Sequence, residues 1–276
     1  KGILKLVLWS LAIACFVMAL VNPKFGTRIE TVKREGVDLV FAIDVSKSML
    51  AEDMAPNRIE KSKQIATQII NNLVSDRIGI IAYAGKAYPQ LPITTDYSAA
   101  KLFLQNMNTN MLSSQGTAID DAINLAKTYY NDDEQSNRVL FIISDGEDHS
   151  EQAVNAAQSA SEEGIKIFTI GVGKPEGGPI PLKKNGIVET YKKDKNGETV
   201  VTKLNEAVLK QIATEANGKY INGANTAKVI KAVQETLDEL DKKEFETKKY
   251  TEYNHQFQWF LGFGIFFLFL DIFFLE

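Results

Sequence analysis

Val37-Asp38-Leu39-Val40-Phe41-Ala42-Ile43-Asp44-Val45-Ser46-Lys47-Ser48 is a nearly continuous apolar run that ends in an acid and two hydroxyls at alternate positions. Its β-branched and aromatic content fits a central parallel strand buried on both faces. The polar tail fits the loop leaving that strand's carboxyl end, where open α/β sheets bind their ligands.

Outward from this strand the pattern alternates. Pro56-Asn57-Arg58-Ile59-Glu60 opens a helix, with Asn57 as its cap and Glu60 at the capping-box position. Ile59, Ser62, Ala66, Ile69, Ile70 and Leu73 then follow a helical stripe. Arg77 to Ala84 reads as a second buried strand, and Ala87 to Ile93, broken by Pro89 and Pro92, as a short edge strand beside it. Helices are expected over Asp96 to Met107, Thr117 to about Tyr130, Ser150 to Glu163, Leu204 to Asn217 and Thr226 to Leu240. Strands are expected over Arg138 to Ser144, Ile165 to Val172 and Lys219 to Ile221. Together these predict a doubly wound, mostly parallel α/β open sheet over residues 37–241. Between Lys174 and Lys203 the alternation breaks. Gly177-Gly178-Pro179-Ile180-Pro181 reads as a loop, and Ile187 to Tyr191 with Glu198 to Val201 flank Lys195-Asn196-Gly197, the signal of a β-hairpin insertion.

Apolar segments flank this domain. Ile3 to Val21 is apolar apart from Lys5 and Ser10, and its 19 residues just cross a bilayer core of about 30 Å. A cleaved signal peptide with Ala12-Ile13-Ala14 as its site is the rival, and the apolar run continues past that point; a lipoprotein reading of Cys15 fails for the same reason. The opening Lys1 in place of Met leads us to expect residues upstream. A polar connector (23–36) follows. A charged connector (242–256) is expected to continue the last domain helix. It leads to a second span, Phe257 to Leu275, dense in phenylalanine, with Asp271 its one acid and Tyr253 and Trp259 suited to the membrane interface. Lys24, Arg28, Lys33, Arg34, Lys242, Lys243, Lys248 and Lys249 lie on the domain side of the two spans, and only Lys1 and Lys5 on the far side. The positive-inside rule then places the domain in the cytoplasm, with a periplasmic domain as the alternative, because charge acts weakly on large domains.

Among 276 residues, 45% are hydrophobic and 24% charged, as in a globular protein. The net charge of -4 gives no support to nucleic-acid binding. One cysteine excludes a disulfide framework and a cysteine metal site, and two histidines, His149 and His255, exclude a His-rich one.

Three separated segments present oxygen ligands at predicted strand ends or helix starts: Asp44, Ser46 and Ser48; Thr117 after Gly116; and Asp145 in Ile143-Ser144-Asp145-Gly146. Neighbouring strands lie about 5 Å apart, so their ends can bring these side chains to one point. Hard oxygen donors select Mg²⁺, Mn²⁺ or Ca²⁺ over Zn²⁺ and Cu²⁺. Two acids leave the ion under-neutralised, with an open position able to accept a carboxylate from a partner. Taken singly, Thr117 fits an N-cap with Asp120 at the third helical position, Asp145 a turn with Gly146, and Ser46 and Ser48 ordinary loop serines. The coincidence of all three segments carries the metal reading.

Asp-x-Ser-x-Ser at Asp44, Ser46 and Ser48, Gly116-Thr117 and Ser144-Asp145-Gly146 resemble the metal-ion-dependent adhesion site of von Willebrand factor A domains. The resemblance covers about Gly36 to Leu240. It implies a Rossmann-like fold in which Ser46, Ser48 and Thr117 ligate the metal, Asp44 and Asp145 act mostly through water, and a partner's acidic side chain completes the shell. The flanking spans make the whole similar to bacterial aerotolerance (Bat-type) membrane proteins. That implies a multi-pass protein of the bacterial inner membrane, working with a MoxR-type AAA+ ATPase and other such membrane proteins. The donor set itself is binding chemistry without an obvious nucleophile or proton shuttle, so no enzymatic activity is expected.

Rival chemistries have less behind them. A triad through His149 lacks a Gly-x-Ser-x-Gly elbow. Gly171-Val172-Gly173 lacks the third glycine and the following helix of a dinucleotide loop. A metal-dependent hydrolase or phosphotransferase with Asp44 as nucleophile would need a second acid where Ser46 stands. A structural membrane scaffold with an inactive site is the third class. Asp132-Asp133-Glu134 reads as a solvated turn, and Glu147 and Asp148 as surface acids beside the rim.

Overall fold

In a computed structural model, residues 2–275 are described except 23, 113, 115, 131–136, 148–151, 185, 241–242 and 256, with backbone alone over 24–35, 243–255 and 274–275. Helix α1 (Gly2–Val21) leads into strand β1 (Lys24–Gly36). Then come β2 (Asp38–Asp44), α2 (Arg58–Asn71), β3 (Arg77–Tyr83), β4 (Ala87–Thr94), α3 (Tyr97–Asn106), α4 (Ile119–Lys127), β5 (Arg138–Ser144), α5 (Gln152–Glu162) and β6 (Ile165–Gly171). Four short strands, β7 (Gly178–Pro179), β8 (Pro181–Lys184), β9 (Ile187–Tyr191) and β10 (Val201–Thr202), precede α6 (Glu206–Glu215), β11 (Tyr220–Asn222) and α7 (Thr226–Asp238). The chain closes with β12 (Lys243–His255) and α8 (Phe257–Leu275). Two compact units result: Glu35–Glu244, and Lys1–Arg34 with Phe245–Glu276.

The larger unit is built on a six-stranded sheet of order β11-β6-β5-β2-β3-β4, parallel except for β4. Every residue of β2 is buried, because the strand is covered on both faces. Leu39, Phe41 and Ile43 face the side packed by α2, α3 and α7. Val40 and Ala42 face the side packed by α4, α5 and α6. The continuous apolar run is this double burial written in sequence. Phe41 stacks on Phe141 at 5.5 Å between ring centroids, and Phe141 meets Phe168 at the same distance. Truncating Phe41 to alanine would cost about 3–5 kcal/mol. Ala153, Ala156, Ala157 and Ala160 form the buried face of α5, and their small side chains let that helix lie close to its neighbours.

Local signals account for the element ends. Asn57 accepts from the Glu60 backbone N–H at 2.8 Å, as a cap should. Asp96 caps α3, Asn205 α6 and Asn225 α7. Asp38, the acid inside the apolar run, is held at the opposite end of the strand from Asp44 by a bidentate Arg77 at 2.7 Å. The central strand β2 has β3 on one side and β5 on the other. The chain therefore reverses direction across the sheet there, and the carboxyl ends of β2 and β5 form the crevice where such sheets bind ligands.

Several boundaries differ from the sequence expectation. Helix α4 begins at Ile119, and its cap position is Ala118, which makes no side-chain cap hydrogen bond, so Thr117 is not the N-cap. In the insertion, β9 pairs antiparallel with β8 around Gly186, and β10 pairs with β7. The Asn196-Gly197 turn is present, with Asp194 accepting from Asn196 and Glu198, but a single bridge, Lys193 to Thr199, flanks it. Pro181 stands first in its strand, where a missing N–H costs nothing, and so the segment expected as loop pairs instead. Asp132-Asp133-Glu134, Asp148 and His149 lie outside the described residues.

In the smaller unit α1 and α8 pack together. Trp9 Nε1 donates to Asp271 Oδ2 at 2.9 Å, and Lys5 Nζ approaches the same oxygen at 3.8 Å. Gly264 allows the close approach: a Cβ there would stand 2.9 Å from the Phe16 ring. Among the described residues one helix, Gly2–Val21, is long and apolar enough to cross a membrane; the apolar stretch Phe257–Phe273 is shorter. The two connectors differ from the reading above. Neither a plain polar linker nor a helical continuation forms; β1 and β12 pair with each other as a two-stranded sheet. Phe245, Thr247, Thr251 and Tyr253 fall on one period of two, interrupted by Lys249, and such aromatic and β-branched residues suit a strand better than a helix.

Candidate metal centre

Asp44 ends β2, with both carboxylate oxygens occupied by donors from the loops around it. Oδ1 accepts from the Ser46 N–H at 2.9 Å, which turns the chain sharply out of the sheet. Oδ2 accepts from Ser144 Oγ at 2.7 Å, from the end of β5. Ser46 is extended, and the single 3₁₀ turn Lys47–Leu50 then brings Ser48 back toward it. The two serine hydroxyls consequently lie 2.9 Å apart, both buried.

Asp145 follows β5 directly. Its Oδ1 accepts from the Glu147 N–H at 3.2 Å, and its Oδ2 from Arg58 at 2.8 Å. The Ser48 hydroxyl also favours the charged form of this carboxylate. Gly146 takes φ +71°, and a Cβ there would stand 2.7 Å from the Asn205 carbonyl, so only glycine lets the loop turn under α6. Asp44, Ser46 and Ser48 thus form one hydrogen-bonded cluster at the crevice, with Asp145 beside it. Thr117 is half-buried. Its segment is fastened to the same rim by the Ala118 N–H, which donates to the Ala84 carbonyl just beyond β3 at 2.7 Å. Gly116, at φ +110°, lies against the Gly85 backbone.

Burial, and then the nearby Asp145 charge, push Asp44 up to about 7. Burial likewise raises Asp145, against the Ser48 hydroxyl and the Arg58 charge. Two carboxylates in one desolvated crevice repel each other, and a divalent cation between them would relieve that repulsion. Among the described residues no group of three or more His, Cys, Asp or Glu is placed to hold a metal. The donor set is hydroxyls with two acids, which fits a hard, partly hydrated cation.

Four residues that the sequence reading left unassigned belong to this site. Ser144 orients Asp44. Arg58 pairs with Asp145, Asp53 grips Arg58 from the other side at 2.8 and 2.9 Å, and Thr202 of the insertion accepts from the same guanidinium. One signal was available: Arg58 is a cation in the first turn of α2, where the helix dipole favours anions, so it needs carboxylates close by.

The family model for the von Willebrand factor type A domain matches residues 38–236. The crystal structure of an aerotolerance-related membrane protein from Bacteroides fragilis, carrying multiple mutations to serines, is 40% identical over 74% of this chain and 100% of that one, with a TM-score of 0.71. BatB from Bacteroides thetaiotaomicron, described as a conserved hypothetical protein, is also 40% identical, over 74% of this chain and 98% of its own, with a TM-score of 0.70. A UPF0353 protein of Mycolicibacterium vanbaalenii is 29% identical over 230 residues, 75% of this chain and 67% of that protein. The fold extends to proximal thread matrix protein 1 of mussel byssus, solved with zinc in its MIDAS motif, at 17% identity and a TM-score of 0.53.

Proposed function

This chain belongs to the von Willebrand factor type A domain family, and from that premise we propose that it is a membrane-anchored module that binds a protein partner through a divalent metal. The supporting observation is the Ser46–Ser48 hydroxyl pair, buried and 2.9 Å apart, beside the buried carboxylates of Asp44 and Asp145. Ser46, Ser48 and Thr117 would hold the ion directly, and Asp44 and Asp145 would hold it mostly through water. The ion would be Mg²⁺, with Mn²⁺ or Ca²⁺ as alternatives of the same hard class. Bound there it supplies an open, electrophilic position, and an acidic side chain of the partner fills it.

The resemblance to Bat-type proteins supports a partner of the MoxR-type AAA+ class, in a bacterial inner-membrane complex with other such domains. The basic residues flanking α1 and α8 support two spans with the domain in the cytoplasm. An Asp44 nucleophile has less support: both its oxygens already accept hydrogen bonds, from Ser46 and Ser144. A magnesium-dependent pull-down from membranes, comparing wild type with Ser46→Ala, tests the proposal. Capture should need magnesium and fail in the variant; equal capture in EDTA would overturn it.

A further inference from the structure

Arg58 is fully buried, and each of its five N–H donors has an acceptor. Nε and one Nη2 hydrogen go to the two oxygens of Asp53, at 2.9 and 2.8 Å. Nη1 gives one hydrogen to Asp145 Oδ2 at 2.8 Å and one to the Thr202 hydroxyl at 2.9 Å. The remaining Nη2 hydrogen goes to the Thr202 carbonyl at 3.0 Å. Burying a guanidinium costs several kcal/mol unless such pairing is complete. A salt bridge to Asp145 alone would not require the other four contacts.

Those contacts lead to one place. Thr202 is the last residue of β10, at the far end of the 174–203 insertion. At the near end, the Lys174 N–H donates to Asp53 Oδ2 at 2.8 Å. Lys203 N–H donates to Glu147 Oε1 at 2.9 Å and Asn205 N–H to the Asp145 carbonyl at 2.8 Å. Both feet of the insertion therefore rest on the Asp53–Arg58–Asp145 chain. Gly173, at φ +135°, is bare where a Cβ would come within 2.9 Å of Arg58 Nε, so the guanidinium fills its space closely.

We propose that Arg58 is a positioning residue that couples the 174–203 insertion to the metal rim, so that ion binding beside Asp145 and fixing of the insertion's two feet are one event. This rests on the metal reading above. Coupling of this kind is reciprocal: whatever fixes the feet tightens the ion, and the ion fixes the feet. A partner that engages the metal would thus find the insertion already set beside it.

The test uses the whole chain, residues 1–276, in detergent. Hydrogen exchange is followed with and without magnesium, and magnesium affinity is titrated by calorimetry, in wild type, Thr202→Val and Arg58→Lys. In wild type, magnesium should slow exchange at residues 44–50 and also at 174–178 and 200–205. Thr202→Val, which touches no proposed ligand, should weaken magnesium binding about tenfold, the scale of an outer-shell loss, and abolish the protection at 174–178. Arg58→Lys keeps the charge without the planar fork and should do the same. Wild-type protection confined to 44–50, or variants that match wild type in both readouts, would overturn the coupling and leave the metal reading standing. No magnesium response anywhere in wild type would overturn the metal reading and this proposal with it.

Discussion

Ser144 Oγ lies 2.7 Å from Asp44 Oδ2 and accepts, in turn, the Gly146 N–H at 2.9 Å. The serine thus fixes the orientation of the acid and the course of the loop that carries Asp145. Ser144→Ala should weaken magnesium binding by about 10- to 100-fold, as the loss of an outer-shell partner does. It should also cost about 1–3 kcal/mol of stability, because a buried carboxylate oxygen loses its donor. Calorimetric titration and thermal melting of the same variant read the two effects separately.

Removal of divalent ions should lower the melting temperature, and excess magnesium should raise it. An ion present at about a hundred times its dissociation constant adds about 2.7 kcal/mol. Asp44→Asn removes one of two buried like charges. The metal-free variant should melt no lower than metal-free wild type, and magnesium should no longer shift its melting curve.

Asp53 supplies a pH dependence. Burial pushes its carboxyl up, but the hydrogen bonds and charge of Arg58, with the Lys174 N–H, outweigh this and hold it below the ordinary carboxylate value. A depressed folded-state value means that the stabilisation is complete above the unfolded value of about 3.9 and is lost as pH falls through the folded one. Melting temperature should therefore drop as pH is taken below about 4, and the drop should be shallower in Asp53→Asn, which starts from a lower stability at neutral pH.

Trp9→Phe should loosen the α1–α8 pair by removing the indole donor from Asp271. Polar contacts between helices in an apolar phase average about 0.6 kcal/mol, so the effect on resistance to denaturing detergent should be small but measurable. A double variant with Asp271→Leu should recover most of it, since no buried carboxylate is then left short of a donor.

The sheet was legible because its strands and caps are local signals, and the acid-hydroxyl cluster because three short motifs each end or start an element of that sheet. The run from Val37 to Ile43 is apolar without interruption except at Asp38, and Asn57, Asp96, Asn205 and Asn225 stand where helices start. The rest was illegible for physical reasons. Arg58 lies 87 residues from Asp145 and 144 from Thr202, and only the folded crevice makes its burial affordable. The Asn196-Gly197 dipeptide is a strong turn signal, yet it does not decide which strands pair: Ile187 to Tyr191 turned back to Pro181–Lys184 instead. The pairing of β1 with β12 joins segments at opposite ends of the chain, and neither one specifies its partner.

The contact between Trp9 and Asp271 has an optical consequence. The chain's two tryptophans, Trp9 and Trp259, both lie in α1 and α8, and residues 35–244 contain none. Indole emission is therefore a private signal of α1 and α8. The sheet and its crevice speak through tyrosine alone. One cuvette can then follow the α1–α8 pair through its indoles, without a label on either helix.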